Sequence, residues 1–95
     1  MTSKSVLTNT LQYAMRITIV SDEYMDGSKY IGLYTSDGEP YSDITTNLGF
    51  VPFTFGFVQV NSESERFVNE HGIGKPTETF KTSGFNTYRL YEFNI

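Results

Sequence analysis

Two Asp-Gly dipeptides, Asp26-Gly27 and Asp37-Gly38, separate three runs of β-type sequence, and they constrain the fold more than any other feature of the chain. Glycine adopts positive φ without steric cost, so Asp-Gly between such runs marks a β-hairpin. In the first run, Gln12 to Glu23, the residues Tyr13, Met15, Ile17 and Ile19 alternate with Ala14, Arg16, Thr18 and Val20. The second covers Lys29 to Thr35, where Ile31 and Leu33 alternate with Tyr30 and Tyr34. The third begins at about Tyr41 and reaches Leu48. Strands joined by such short loops pair antiparallel, so consecutive hairpins open the fold.

Loop length decides which side chains meet. A two-residue loop at Asp37-Gly38 pairs Leu33 with Ser42 and Ile31 with Ile44. Ile31, Leu33 and Ile44 then share one face, and Tyr34 opposes Tyr41 on the other. At Asp26-Gly27 two registers fit. A two-residue loop leaves Ile19 on the tyrosine face, and a one-residue bulge carries Ile17 and Ile19 across.

Further along, Gly49-Phe50-Val51-Pro52-Phe53 interrupts the strands, because proline cannot donate to a ladder. Phe55 to Val60 reads as a fourth, strongly apolar strand. Ser62 with Glu65 three residues later matches a capping box, which starts a helix at Glu63. The helix runs to His71, with Phe67 and Val68 facing inward. Gly72 suits the left-handed position beyond it, and Ile73 closes back on Val68. Gly74 to Asn86, with Pro76, Ser83, Gly84 and several threonines, reads as an irregular loop. Thr87 to Ile95 is a final strand that must dock into a sheet to cover Tyr91 and Phe93. Residues 1–9 are polar and read as a frayed terminus.

The fold class that follows is α+β in a single domain over residues 1–95. It is an antiparallel meander of about five strands, with one short helix packed on a face and the C-terminal strand in the sheet. A chain of 95 residues buries one modest core. Eight Phe, seven Tyr and no Trp predict a core of a few large rings.

Composition removes several classes of function. With no cysteine there is no disulfide, no thiolate metal ligand and no cysteine nucleophile, and a reducing cytoplasm suits the chain. No apolar run approaches the roughly 20 residues that span a bilayer, and the first residues do not form a signal peptide. The net charge is −4, and the seven Lys and Arg are scattered from Lys4 to Arg89. Direct nucleic-acid binding is therefore disfavoured, while a basic partner surface would be attracted.

The sequence offers no catalytic, cofactor-binding or metal-binding residue. The one histidine, His71, sits at a helix end, where its usual role is with the last carbonyls and the dipole. The carboxylates gather at turns and on the helix rather than as a facing pair. Gly72-Ile73-Gly74-Lys75 follows a helix, whereas a phosphate loop precedes one. Two groups are candidates for protein binding instead. Tyr30, Tyr34 and Tyr41 form a row that either contacts a partner or covers a second core face. Lys81, Phe85 and Asn86 lie in the closing loop, with Phe85 either a lid over the core or an exposed anchor.

The closing segment also carries a resemblance. Glu70-His71-Gly72-Ile73-Gly74-Lys75-Pro76-Thr77, Ser83-Gly84-Phe85-Asn86-Thr87-Tyr88 and Leu90-Tyr91-Glu92-Phe93 resemble the end of a family of small bacterial proteins of unknown function. Leu33-Tyr34-Thr35-Ser36-Asp37-Gly38-Glu39-Pro40-Tyr41 resembles that family's middle turn. The similarity covers about residues 30–95. Glu78 stands where a glycine is usual and Arg89 where a proline is usual. The resemblance implies a gene carried on phages, plasmids and conjugative elements, mainly of Gram-positive bacteria, and no known activity.

The expected function is thus a non-enzymatic accessory protein that binds a host or element-encoded protein, in the manner of a counter-defence inhibitor. The alternative is a structural or small-ligand-binding module, a monomer or a homodimer formed through strand 87–95 as an open edge. A small enzyme would have only His71, scattered carboxylates and tyrosine hydroxyls to draw on.

Overall fold

The computed structural model describes residues 2–10, 13–49 and 51–95. Gln12, read as the start of the first strand, and Phe50, read within the break, lie outside them. Among the described residues, seven strands and one helix follow in chain order: β1 (Thr2–Thr10), β2 (Tyr13–Glu23), β3 (Lys29–Thr35), β4 (Pro40–Asp43), β5 (Phe55–Gln59), α1 (Glu63–His71), β6 (Gly74–Ser83) and β7 (Asn86–Phe93). They form not one meander but two antiparallel sheets, β1-β2-β3-β4 and β5-β7-β6. Of residues 1–9, read as a frayed terminus, 2–9 belong to β1, the edge strand of the first sheet. The third strand leaves its sheet after Asp43 rather than continuing to Leu48. Thr46 then makes a single bridge to Phe57 in β5, its N–H donating to the Phe57 carbonyl at 2.9 Å.

Both Asp-Gly turns use a three-residue loop. At the first, Tyr24 N–H donates to Ser28 and Gly27 N–H to the Tyr24 carbonyl; at the second, Thr35 N–H donates to Glu39 and Gly38 N–H to Thr35. Gly27 and Gly38 sit at φ of 89° and 86°, the left-handed residue that closes such a loop. The extra residue at Asp26-Gly27 pairs Ile19 with Leu33 and so carries Ile17 and Ile19 onto the face of Ile31 and Leu33. At the second turn a bulge between Leu33 and Tyr34 restores the pairing of Leu33 with Ser42. Tyr34 then opposes Pro40, not Tyr41.

Ile17, Ile19, Ile31, Leu33 and Ile44 cover one side of the first sheet and pack on Val58, Tyr91 and Phe93 of the second, with Phe67, Val68 and Ile73 filling the space around the helix. The rings expected to dominate are concentrated on β7 and the helix, and the first sheet contributes aliphatics. These aliphatics are β-branched in four of five cases, which suits a pleated, half-buried surface.

The helix follows its local signals. Ser62 Oγ accepts from Glu65 N–H at 3.2 Å, while Glu65 Oε1 accepts from Asn61 N–H at 3.0 Å. Gly72 is left-handed, and Ile73 N–H returns to the Val68 carbonyl at 3.3 Å. A nine-residue helix is marginal alone, so Phe67 and Val68 must hold it against the sheets.

Gly74–Ser83, read as a loop, is strand β6. It pairs with β7 through a two-residue turn at Gly84-Phe85, flanked by Ser83 and Asn86. Gly84, at φ 62°, takes the first turn position, as in a type II′ hairpin. Most of β6 is exposed, so burial imposes no period-2 pattern on its sequence, and backbone pairing alone makes it a strand. β7 consequently lies in the centre of its sheet and offers no open edge for a second copy.

Candidate functional site

The candidate residues fall in three separate places. Tyr30 and Tyr34 share the outer face of β3. Alternation along the strand puts Gly32 between them on the same face, and a Cβ there would collide with the Tyr30 hydroxyl, so the tyrosine ring lies across the glycine. The Tyr30 hydroxyl donates to Asp43 Oδ1 at 2.9 Å and stands 3.4 Å from that of Tyr34. Its ring meets Tyr24 edge to face, with centroids 5.5 Å apart. Burial, followed by the Tyr34 and Asp43 contacts, holds the Tyr30 phenol above its ordinary pKa. Tyr30 is therefore half-buried and held by Tyr24, Tyr34 and Asp43.

Tyr41 does not complete the row, because the bulge takes it out of step. It lines a cleft of about 30 Å³ on the opposite side, over Ile17, Leu33, Ile44 and Phe67, with Glu63 and Glu70 at the rim. A space this small suits ordered water rather than a metabolite. Arg66 reaches Glu63 at 3.4 Å and Glu70 at 3.9 Å across that rim. His71 stacks on Phe67 with centroids 4.3 Å apart and does not line the cleft, nor does Tyr88. Among the described residues, no group of three or more His, Cys, Asp or Glu is placed to hold a metal ion.

Lys81, Phe85 and Asn86 are brought together by the β6–β7 hairpin, which extends beyond the core as an arm. Phe85 is fully exposed at its turn. Lys81 Nζ donates to the Leu48 carbonyl at 2.6 Å and so ties the strap before β5 to the arm. The sequence reading missed Phe80, which is 50% exposed on the same arm. In a stretch that reads as a loop, nothing distinguishes an exposed ring from a covered one.

The base of the arm is built by the two unusual residues. Between the Pro76–Tyr91 and Phe80–Arg89 pairs, β6 carries three residues against one, Leu90, on β7. Thr77 Oγ1 donates to the Leu90 carbonyl at 2.8 Å. Arg89 Nε donates to the Thr77 carbonyl at 2.6 Å, its guanidinium lies 3.4 Å from Glu78 Oε1, and it covers the Phe80 ring at 4.9 Å. Glu78 and Arg89 thus contact each other and clasp the bulge.

A second chemically distinctive group lies inside the body. Lys29 is 6% exposed; its ammonium donates to Ser21 Oγ at 2.9 Å and lies 4.9 Å from the centre of the Phe53 ring. Burial lowers its pKa, partly countered by Glu23. Sequence alone gave no sign of this, since a lysine beginning a strand is ordinarily solvated.

A family model described as "Domain of unknown function (DUF4313)" matches residues 18–95. The chain belongs to this family. The match takes in β3 to β7, the helix and most of β2, and leaves β1 outside. No curated protein and no solved structure matches the chain. The family's description carries no activity, so the arm and its rings must be judged on their own chemistry.

Proposed function

We propose that the protein is a non-enzymatic protein-binding module whose contact surface is the β6–β7 arm. The observation that carries this reading is the pair of exposed rings, Phe85 at the turn and Phe80 further down β6, on a hairpin with no core of its own. An exposed aromatic side chain gains free energy by being covered, and such rings are frequent anchors at protein interfaces. Lys81 and Asn86 flank them with polar groups that would set orientation. The resemblance of the closing segment to proteins of phages and plasmids supports an accessory role in a host cytoplasm, with inhibition of a defence nuclease as the role that such a setting favours.

The test compares wild-type protein with the double variant Phe80→Ser, Phe85→Ser. Each is immobilised and exposed to purified restriction and CRISPR nucleases in turn. The expected result is binding of at least one nuclease by wild type and its loss in the variant, with unchanged thermal unfolding. Equal binding by both proteins would remove the arm from the reading. Absence of binding to every nuclease would remove the counter-defence role.

A further inference from the structure

Resting on the assignment of the arm as a contact surface, we infer that the outer edge of β6 at Phe80–Ser83 accepts an extended acidic peptide segment as a fourth strand of the sheet. The backbone pattern follows from the turn. In a two-residue hairpin the flanking pair, Ser83 and Asn86, exchanges both backbone hydrogen bonds, and the pattern alternates from there. Lys81 is then bonded to Tyr88, while the N–H and C=O of Thr82 and Phe80 point away from β7 to the open edge. The Thr87 carbonyl agrees with this pattern, since it turns away from β6 and accepts from Val60 N–H at 2.9 Å.

The other half of the same edge is closed. Pro76 has no N–H, and the bulge over Thr77–Thr79 is held by Arg89. Prolines, bulges and lysines are the means by which sheets prevent unwanted pairing. Phe80–Ser83 has neither proline nor bulge; its one lysine, Lys81, deters a basic or identical strand but not an acidic one, and all four residues are exposed. The edge of β4, by comparison, begins at Pro40, and its Asp43 carbonyl accepts from Ser64 Oγ at 3.2 Å.

Charge selects the occupant. Lys81 has no carboxylate within ion-pair distance among the described residues, and its bond to Leu48 leaves further ammonium donors free. Glu78, the one acidic residue of β6, is taken by Arg89. Side chains of an added strand alternate between faces, so the fitting segment places acidic residues on the face of Lys81 and apolar residues on the face of Phe80.

A short acetylated peptide of alternating Val and Glu is the probe, with the same peptide carrying Lys for Glu as the control. Amide spectra of labelled full-length protein are followed during titration. The expected result is shifted and exchange-protected Phe80 and Thr82 amides with the acidic peptide, weakened by added salt and lost in Thr82→Pro. That variant removes an outward N–H without breaking the β6–β7 ladder. Shifts confined elsewhere, equal response to both peptides, or full response in Thr82→Pro would overturn the inference. Protection that grows with protein concentration and needs no peptide would assign the edge to a second copy and also overturn it. Should a nuclease bind wild type and Thr82→Pro equally but not the Phe80, Phe85 variant, the arm remains the contact surface and edge pairing is rejected.

Discussion

At one end of β7, Tyr91 and Phe93 are buried against helix α1 and the isoleucines of the first sheet; at the other, Asn86 and Thr87 stand in solvent beside Phe80 and Phe85. The same strand serves two purposes, and the bulge opposite Leu90 separates them. The Tyr91 hydroxyl donates to Glu65 Oε2 at 2.8 Å and accepts from Asn69 at 3.3 Å, so this ring is satisfied twice by the helix. Phe85 touches no such support. Aromatic content therefore says little by itself about the location of the core; position along the hairpin decides whether a ring holds the fold or leaves it.

Four measurements can break or sharpen this contrast. The largest effect is expected from Tyr91→Ala, which empties the buried end: a loss of about 3–5 kcal/mol in urea unfolding, the usual cost of removing a large core ring. A much smaller loss would show that the two ends are less different than the contacts suggest. Alkaline pH comes next. Burial, then the Glu65 hydrogen bond, raises the Tyr91 pKa above its ordinary value of 10.0, and Tyr30 is raised in the same direction. The unfolded chain therefore loses these protons first, and stability falls as pH rises above about 10. Unfolding midpoints across that range should decline, and the decline should be shallower in Tyr30→Phe.

Ser62→Ala tests the helix that covers the buried end. It removes the acceptor for Glu65 N–H and should cost about 1 kcal/mol by thermal or urea unfolding. The smallest effect is expected at the arm. Phe85→Ser should change stability by no more than about 0.5 kcal/mol, because no native packing is lost. A larger loss in the same assay would mean that the ring is covered in solution, contrary to the arm described.

The parts of the fold that were legible are those written in local chemistry. Ser62 and Glu65 mark the start of the helix and Gly72 its end, and the helix runs from Glu63 to His71 as their spacing requires. Both hairpins were visible in Asp26-Gly27 and Asp37-Gly38, but loop length was not. A two-residue and a three-residue loop share the same dipeptide, and one residue reverses every side chain of β2. The division into two sheets was hidden because Thr46 joins them by one bridge, which has no sequence signature. β6 was hidden because burial selects almost none of its residues. Of the candidate site, Lys81, Phe85 and Asn86 were legible as a segment left over from structure, whereas Phe80 and the Glu78–Arg89 clasp needed the bulge to bring them together.

The order of β5, β7 and β6 also sets the order in which the molecule can assemble. The first sheet is made of neighbours in sequence, each strand pairing with the one before it. The second is not, for its middle strand is its last. Until β7 emerges, β5 has no partner in its own sheet, and β6 has none at all. A chain leaving the ribosome thus has a nearly complete first sheet while the apolar strand β5 waits for its neighbour. Non-local pairing of this kind slows folding, and the final strand acts as a latch that joins the parts already made.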